Sequence, residues 1–357
     1  MTRLPGDPSR YQLADDYSIS LVIHGGWQFS AGHRLSAEDV DDGLEVLARS
    51  AELGVTTFDC ADIYTGVEEL YGRFIQRWKS TSVAAPLQIH TKFVPDYGDL
   101  GRVDRAYVER IIDRSLTRLG IDRLDLVQFY WWRDDVPGME DAAGWLSELQ
   151  SAGKIRYVAA TNLSAERLSR IERTGVCLVA DQVQYSVLDR RPEGRLGEHV
   201  ATTGTRLLCY GALAGGFLTR RWLGEPAPSG LANRSLVKYR LIIDEFGGWA
   251  AYQRLLVELD AIAEEKGVDL ATVALRFVLD QRHVAAVVVG ATRIDRMERN
   301  VRALGLSLDD ADHARVRRHL DVAPGPVGEV FGLERDRDGA HGRIMRYDLN
   351  RDVPGES

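Results

Sequence analysis

The chain has 357 residues, 45% of them hydrophobic and 27% charged, with a formal net charge of −8. That is enough apolar material for one large domain or two small ones. Acids and bases are interspersed, so the basic tail or stripe that nucleic acid or anionic lipid requires is absent. The opening stretch MTRLPGDPSRYQLADDY carries no apolar core for a signal peptide. No apolar run approaches the roughly 20 residues of a membrane span. Cys60, Cys177 and Cys209 are far apart and have neither disulfide-framework nor metal-ligand spacing. These features point to a soluble, reduced, cytoplasmic protein.

Short apolar runs alternate with amphipathic stretches along most of the chain. Residues 18–26 (SISLVIHGG) and 56–59 (TTFD) are strand-like, and 68–78 (EELYGRFIQRW) has helical spacing. Residues 87–92 predict a third strand, followed by a helix over 106–120. Residues 124–131 predict a fourth, with a helix over 140–153 that ends at a glycine C-cap. Strands follow at 155–161 and 177–185 around a helix at 164–173, then at 205–211 and 284–291. Strict alternation of strand and helix implies parallel pairing. Eight such units at this length favour a closed (β/α)8 TIM barrel over an open doubly wound sheet, whose usual G-x-G-x-x-G is nowhere in the chain. Residues 215–248, with GEPAPSG, predict a long excursion above the seventh strand. The tail from residue 324 is expected to lie across a barrel face, a flexible end being the alternative.

In such a barrel the chemistry sits at the C-terminal ends of the strands. Asp59 ends the second predicted strand, Lys92 the third and Tyr130 the fourth. Thr161 and Asn162 end the fifth, Gln182 the sixth and Tyr210 the seventh, and Gly290 and Arg293 come at the eighth. Polar groups on successive strands of one rim predict a functional pocket. A buried lysine needs a partner or loses its charge, and Asp59 on the adjacent strand supplies one. A phenol near Lys92 would have its pKa lowered and could donate a proton, which makes Asp59, Lys92 and Tyr64 a proton-delivery unit. A structural ion pair beside a surface tyrosine stays open as the plainer reading.

The stretches GVTTFDCADIYTGVEELYG, IHTKF, YVAATNLSAERL, DQVQYSVLDRR, YGALAGGFLT and VVVGATRIDRMERN resemble, in order, the motifs of the aldo-keto reductase superfamily. The resemblance runs from about residue 10 to about residue 320. It implies one barrel domain over 1–357, with the barrel at about 18–305 and a C-terminal helix and tail at about 306–357. It implies hydride transfer from NADPH, bound without a Rossmann domain, to the carbonyl of a small-molecule aldehyde or ketone. Tyr64 would be the general acid, Lys92 would lower its pKa and Asp59 would orient Lys92. Thr161, Asn162 and Gln182 would hold the nicotinamide carboxamide, with Gly26 beside it, and Tyr210 would stack on the ring. Gly211, Leu213 and Gly215 would line the pyrophosphate path. Gly290, Thr292, Arg293, Arg296 and Asn300 would meet the adenosine end. The two arginines near a helix start suit a 2′-phosphate and so favour NADPH over NADH; a solvated helix face is the plainer reading of them.

One position departs from the pattern. The family's histidine at the end of the fourth strand is replaced by Tyr130 in DLVQFYWW, in a register set by Asp125, Leu126 and Gln128. A phenol can donate a hydrogen bond to a carbonyl oxygen but cannot supply imidazolium. A working carbonyl reductase, a divergent redox enzyme (enone reduction or alcohol oxidation), and a weakly catalytic NADPH-binding sensor all remain open, as does a non-redox barrel enzyme that binds no NADPH. His90 points the same way as Lys92, one layer deeper, and reads as a core histidine. His24 is the better substitute for the missing imidazole. Trp27 and Trp131, with Tyr64 and Tyr130, are candidate substrate walls, although alternation puts Trp131 on the opposite side from Tyr130 and Trp132. The stretches ADIYTGVEE, DEFGGW and GRIMRYDLN resemble a branch that includes pyridoxal reductases and support an aromatic aldehyde or natural-product ketone. No metal site is expected, and nothing in the sequence specifies an oligomeric state.

Overall fold

In the computed structural model, which describes residues 3–4, 7–30, 37–81, 85–231 and 233–350, three short strands come first. They are β1 (Arg3–Leu4), β2 (Asp7–Ala14) and β3 (Tyr17–Ser20), joined as an antiparallel meander. Eight parallel strands then close a barrel: β4 (Val22–Gly25), β5 (Thr57–Asp59), β6 (Gln88–Phe93), β7 (Leu124–Phe129), β8 (Ile155–Thr161), β9 (Ala180–Gln184), β10 (Arg206–Tyr210) and β11 (Val284–Gly290). They pair in that order, with β11 back on β4. The (β/α)8 TIM-barrel expectation is borne out.

The strand bounds differ from the expected ones at informative places. The run 18–26 is two elements: the chain bends at Leu21, whose N–H donates to Ser9 O, and residues before it pair with β2 instead of the barrel. β7 stops at Phe129, so Tyr130, Trp131 and Trp132 belong to the loop above the strand. The meander lies at the N-terminal end of the barrel. There Arg10 donates to Thr56 Oγ1 (2.6 Å), Gln88 Oε1 (3.0 Å) and Ser18 O (2.7 Å), at the starts of the second and third barrel strands. The Tyr17 hydroxyl lies 3.0 Å from His90 Nε2 inside that floor.

Helices α1 (Ala37–Glu52), α2 (Val67–Lys79), α3 (Arg105–Leu119), α4 (Met139–Ser151), α5 (Ala165–Glu172) and α6 (Arg195–Thr203) follow successive barrel strands. Their ends are chemically marked. The Asp104 carboxylate accepts from Tyr107 N to cap α3, and Gly120, at φ 62°, closes it in a conformation that favours glycine. Each helix lays an apolar face on the barrel. Phe58 of β5, for example, meets Phe74 and Tyr71 of α2 edge-on at ring separations of 4.9 and 5.9 Å.

Between β10 and β11 the chain makes α7 (Arg234–Glu245), α8 (Gly248–Lys266) and α9 (Leu270–Leu279). After β11 come α10 (Ile294–Val301) and α11 (Asp310–Val322), and a single turn, α12 (Gly332–Arg335), lies in the tail. Helices α7, α8, α9 and α11 bury a second apolar cluster of their own, including Phe246, Tyr252 and Leu256. The expected excursion over 215–248 is therefore ordered around α7, which comes back over the strand ends. The tail lies across the same face: Tyr97 N donates to Tyr347 O, and Asn350 Nδ2 donates to Val94 O beyond the end of β6. Among the described residues no helix is long and apolar enough to cross a membrane.

Candidate active site

Alternation along a strand sends every second side chain into the barrel. On β5, β6, β7 and β9 that rule brings Asp59, Lys92, Gln128 and Gln182 into one layer near the C-terminal rim. Lys92 Nζ donates to Asp59 Oδ2 (2.6 Å) and to the Cys60 carbonyl (2.8 Å). Asp59 Oδ1 accepts from Gln128 Nε2 and Gln182 Nε2, each at 2.7 Å. Both members of the ion pair are nearly dry, with side-chain exposures of 5% for Lys92 and 4% for Asp59. Burial alone would pull the ammonium down, but Asp59, with Tyr64, outweighs it and holds Lys92 above its ordinary pKa.

Tyr64 stands above this pair in the turn between β5 and α2, its ring centroid 5.1 Å from Lys92 Nζ. The Trp27 ring meets it edge-on at 4.9 Å, and the Trp27 indole N–H donates to Ser235 Oγ on α7 (3.3 Å). Burial raises the Tyr64 phenol; Lys92 pulls it back, but only in part. The net direction is up, so the expected lowering by Lys92 is corrected: desolvation of the phenolate outweighs the nearby cation. The group holds its proton throughout the neutral range.

Around the rim, Asn162 follows β8 in the left-handed region (φ 56°), which asparagine tolerates better than most side chains. Its Oδ1 accepts from the Tyr210 hydroxyl at 2.9 Å. Helix α7 then covers the loop after β10. Tyr239 lies so close to that loop that a Cβ at Gly211 would fall 2.6 Å from its hydroxyl, and one at Gly215 2.6 Å from its ring. Glycine at both places is what lets the helix seat. Lys238, one residue earlier, lies 5.0 Å from the centre of the Tyr210 ring.

At the far side, α10 begins at Arg293 with an extended backbone and no side chain capping its first N–H groups. Arg293 and Arg296 are exposed there, and Thr292 is half-buried. Uncapped N–H groups with two cations at a helix start have the donor chemistry a phosphate needs. Asp295 competes for one of them, accepting from Arg293 Nε at 2.9 Å. Asn300 is buried on the inner side of α10, and Leu213 is half-buried beside Gly211. From Asn162 and Tyr210, past Gly211 to Gly215, to the start of α10, these groups would fit the two ends of an extended dinucleotide phosphate.

Other expected positions stand elsewhere. Gly26 is buried where a Cβ would meet Val67 Cγ1 at 2.7 Å and Tyr71 Oη at 2.8 Å, so it serves close packing of β4 on α2 and offers no surface to a cofactor. The Gln182 amide nitrogen is committed to Asp59, and Thr161 Oγ1 donates to the Gln182 carbonyl (3.1 Å), which leaves Asn162 as the outward-facing member of that trio. Trp131 is fully buried away from the rim, its indole N–H donating to Val136 O (3.1 Å), because the alternation that turns Tyr130 and Trp132 in turns it out. His24 faces the helices between Phe29 and Phe58, with Nε2 2.9 Å from Ala291 O. Burial brings it down to about 4, so it is neutral, and its ring nitrogen is turned to a backbone carbonyl. His90, also held at about 4 by burial, is the core histidine it was expected to be. Gly290 lies under the Gln28 amide, 2.7 Å from where its Cβ would be.

Tyr130 itself is buried at 3% exposure, edge-on to Trp132 (4.8 Å) and to Phe331 of the tail (5.9 Å). Its hydroxyl has no hydrogen-bond partner among the described residues. Sequence reasoning missed the groups brought by α7 and the tail, namely Lys238, Tyr239, Phe331 and Arg335. It also used Gln128 only to set a register, although an inward-facing amide near the end of β7, two residues before Tyr130, is placed to meet Asp59.

Residues 21–321 match the aldo/keto reductase family. Protein tas of Escherichia coli is 29% identical over 339 residues, covering 84% of this chain and 94% of its own. Aldo-keto reductase yakc (NADP(+)) of Schizosaccharomyces pombe is also 29% identical over 339 residues, covering 92% and 94%. Among solved structures, the glycerol dehydrogenase AKR11B4 from Gluconobacter oxydans superposes with a TM-score of 0.77 at 24% identity, over 90% of this chain and 98% of that one. An aldo/keto reductase from Klebsiella pneumoniae in complex with NADP and acetate gives 0.67 at 21% identity, over 90% and 97%. At those identities the structural likeness speaks for the fold. The family match runs from just before the first barrel strand to near the end of α11 and takes in all eight barrel strands, and on that span the chain belongs to the aldo/keto reductase family.

Proposed function

We propose that this protein is an NADPH-dependent carbonyl reductase acting on an aldehyde or ketone, with Tyr64 as proton donor. The observation that carries the reading is the dry Lys92–Asp59 pair directly beneath a half-buried phenol. A relative named for NADP(+) and a structural neighbour that holds NADP support the choice of cofactor. When bound, NADPH supplies the hydride.

The chain's own residues do the rest. Tyr64 keeps its proton at neutral pH and gives it to the carbonyl oxygen as charge develops there. The Lys92 ammonium steadies the phenolate that remains, and Asp59, fixed by Gln128 and Gln182, keeps that ammonium charged and aimed. Asn162 and Tyr210 would hold the amide and the ring of the nicotinamide. Arg293 and Arg296 would hold the 2′-phosphate at the start of α10. Tyr130, in the place of a histidine, would orient the carbonyl through its uncommitted hydroxyl. Trp27 would form one wall of the substrate site, with Tyr64 beside it.

The test is loss of NADPH absorbance against a panel of aldehydes, ketones and enones, with Tyr64→Phe alongside. Wild type is expected to reduce a carbonyl, and Tyr64→Phe to fall by about 100-fold or more. A Tyr64→Phe protein that keeps wild-type turnover overturns the assignment.

A further inference from the structure

We propose that the rim holds a subsite for an anionic group on the substrate, a carboxylate or a phosphate, formed by Arg335 of the tail beside the Tyr130 hydroxyl. The inference rests on the reductase reading above and names the substrate class of that same site.

Arg335 ends α12, where the tail crosses the strand ends. Its guanidinium lies 5.4 Å from the centre of the Tyr130 ring and 5.6 Å from that of Phe331. Nη1 donates to Val330 O (3.3 Å), and Nη2 donates to the Asn162 carbonyl. Nε is buried without a hydrogen-bond partner. The guanidinium is thus fixed in place by two carbonyls while part of its donor fork is unused.

Its charge is also unmatched. Glu334, the preceding residue, is taken by Arg191 (3.1 Å) and Lys238 (3.7 Å), and Asp189 by Arg191 (2.7 Å). Asp134 is taken by Arg167 (2.6 Å) and Arg170 (3.6 Å). Asp181 is close enough to feel Arg335 but makes no ion pair with it, and complete burial pushes its carboxyl well above the usual range. Among the described residues no carboxylate pairs with Arg335. A half-buried cation without a counter-ion is costly, and here the surrounding chain pays that cost at the mouth of the site.

The second observation is Tyr130. Its hydroxyl lies beside Arg335 and feels that charge, without a well-formed hydrogen bond to any described residue. An anionic oxygen would satisfy the free guanidinium N–H, as carboxylates and phosphates do with arginine, while the phenol O–H beside it stays available to the carbonyl. Arg335, Asn162 and Tyr64 are each partly exposed, so the group can enter from solvent. Because Arg335 is tied to Asn162, the anion would sit next to the reacting end of the site, and the carbonyl and the anionic group would be close together in the substrate.

The experiment compares kcat/KM for succinic semialdehyde against butanal, and for glyceraldehyde 3-phosphate against glyceraldehyde, in wild type, Arg335→Gln and Arg335→Lys. Wild type is expected to favour the anionic member of one pair by about 10- to 100-fold. The favoured pair tells carboxylate from phosphate. Arg335→Gln should abolish the preference, chiefly through KM, and Arg335→Lys should restore part of it. No preference in either pair, or a preference that survives Arg335→Gln, overturns the proposal. A binding arm needs no turnover: calorimetric titration with benzoate and with inorganic phosphate should show at least about tenfold tighter binding to wild type than to Arg335→Gln, and equal binding overturns the subsite. If Arg335→Gln does not fold, Arg335→Met, of similar length, takes its place. Arg335-dependent binding of the anion by a protein that reduces no carbonyl would keep the subsite and overturn the reductase reading.

Discussion

Lys92 Nζ lies 2.6 Å from Asp59 Oδ2, on adjacent barrel strands, with almost no water reaching either side chain. Removing one member of such a pair strands a charge. Lys92→Met is therefore expected to lower the unfolding free energy by about 3–5 kcal/mol and to reduce turnover by at least about 100-fold. The double variant Lys92→Met, Asp59→Asn should regain most of the stability and none of the activity. Denaturant unfolding and NADPH consumption, combined in a double-mutant cycle, check both halves. Stability that fails to recover in the double variant would mean that the pair does not carry the energetics described here.

Tyr130 makes the opposite kind of prediction. Its hydroxyl is buried without a partner, so Tyr130→Phe should melt at or above the wild-type temperature. Carbonyl turnover should nevertheless fall by about tenfold or more if the hydroxyl orients the substrate. A variant that melts several degrees lower shows that the hydroxyl is bonded in solution. Tyr130→His, compared on the same substrates, reports whether imidazole can serve in a site now shared with Arg335.

Asp62 provides a pH signature unrelated to catalysis. Burial, reinforced by Glu68, raises its carboxyl to about 7. In the unfolded chain it titrates near the ordinary aspartate value of 3.8. Below that value it is protonated in both states and contributes nothing. As pH rises towards 7 the unfolded chain ionises first, so stability is lost across that window, by about 4 kcal/mol at most. Asp62→Asn should remove this slope and make the protein more stable than wild type at about pH 8, with little difference at about pH 4. Urea unfolding at the two pH values decides it; identical slopes in the two proteins would show that Asp62 is not held neutral.

The start of α10 tests cofactor choice. Arg296→Ala should raise KM for NADPH by about tenfold and leave KM for NADH nearly unchanged, since only one of them carries the 2′-phosphate. Asp295→Asn, which releases Arg293 from its carboxylate, should shift the preference further towards NADPH. Equal effects on the two cofactors would place the arginine outside the phosphate site.

Asp59, Lys92, Asn162 and Tyr210 were legible because strand alternation is local: once the strands are placed, period two sends these side chains to one rim. The fate of Gln182 was not, because it depends on Asp59 reaching across the barrel to accept its amide. Arg335 and Lys238 were out of reach for a stronger reason. Their segments have no strand or long helix to set a phase, and their positions follow from docking: α7 on the clearance left by Gly211 and Gly215, and the tail on contacts such as Tyr347 with Tyr97. The first strands were missed because DPSRYQLA opens with a dipeptide that reads as a turn, while the alternation over 18–26 runs unbroken through the bend at Leu21. Trp131 and Tyr130, adjacent in sequence, show how far one residue of phase matters: one is a wall between barrel and helix, the other faces the chemistry.

The antiparallel meander and the tail occupy opposite ends of the same barrel, and this divides the chain's tasks by position. Changes at Arg10 and Tyr17 act on the floor and should register as altered melting with substrate preference intact. Changes in the last thirty described residues act on the roof and should alter what the site accepts before they alter how firmly the barrel holds. The two properties can therefore be selected independently in a library, and a surface linkage made through the N-terminal side would leave the open face turned to solution.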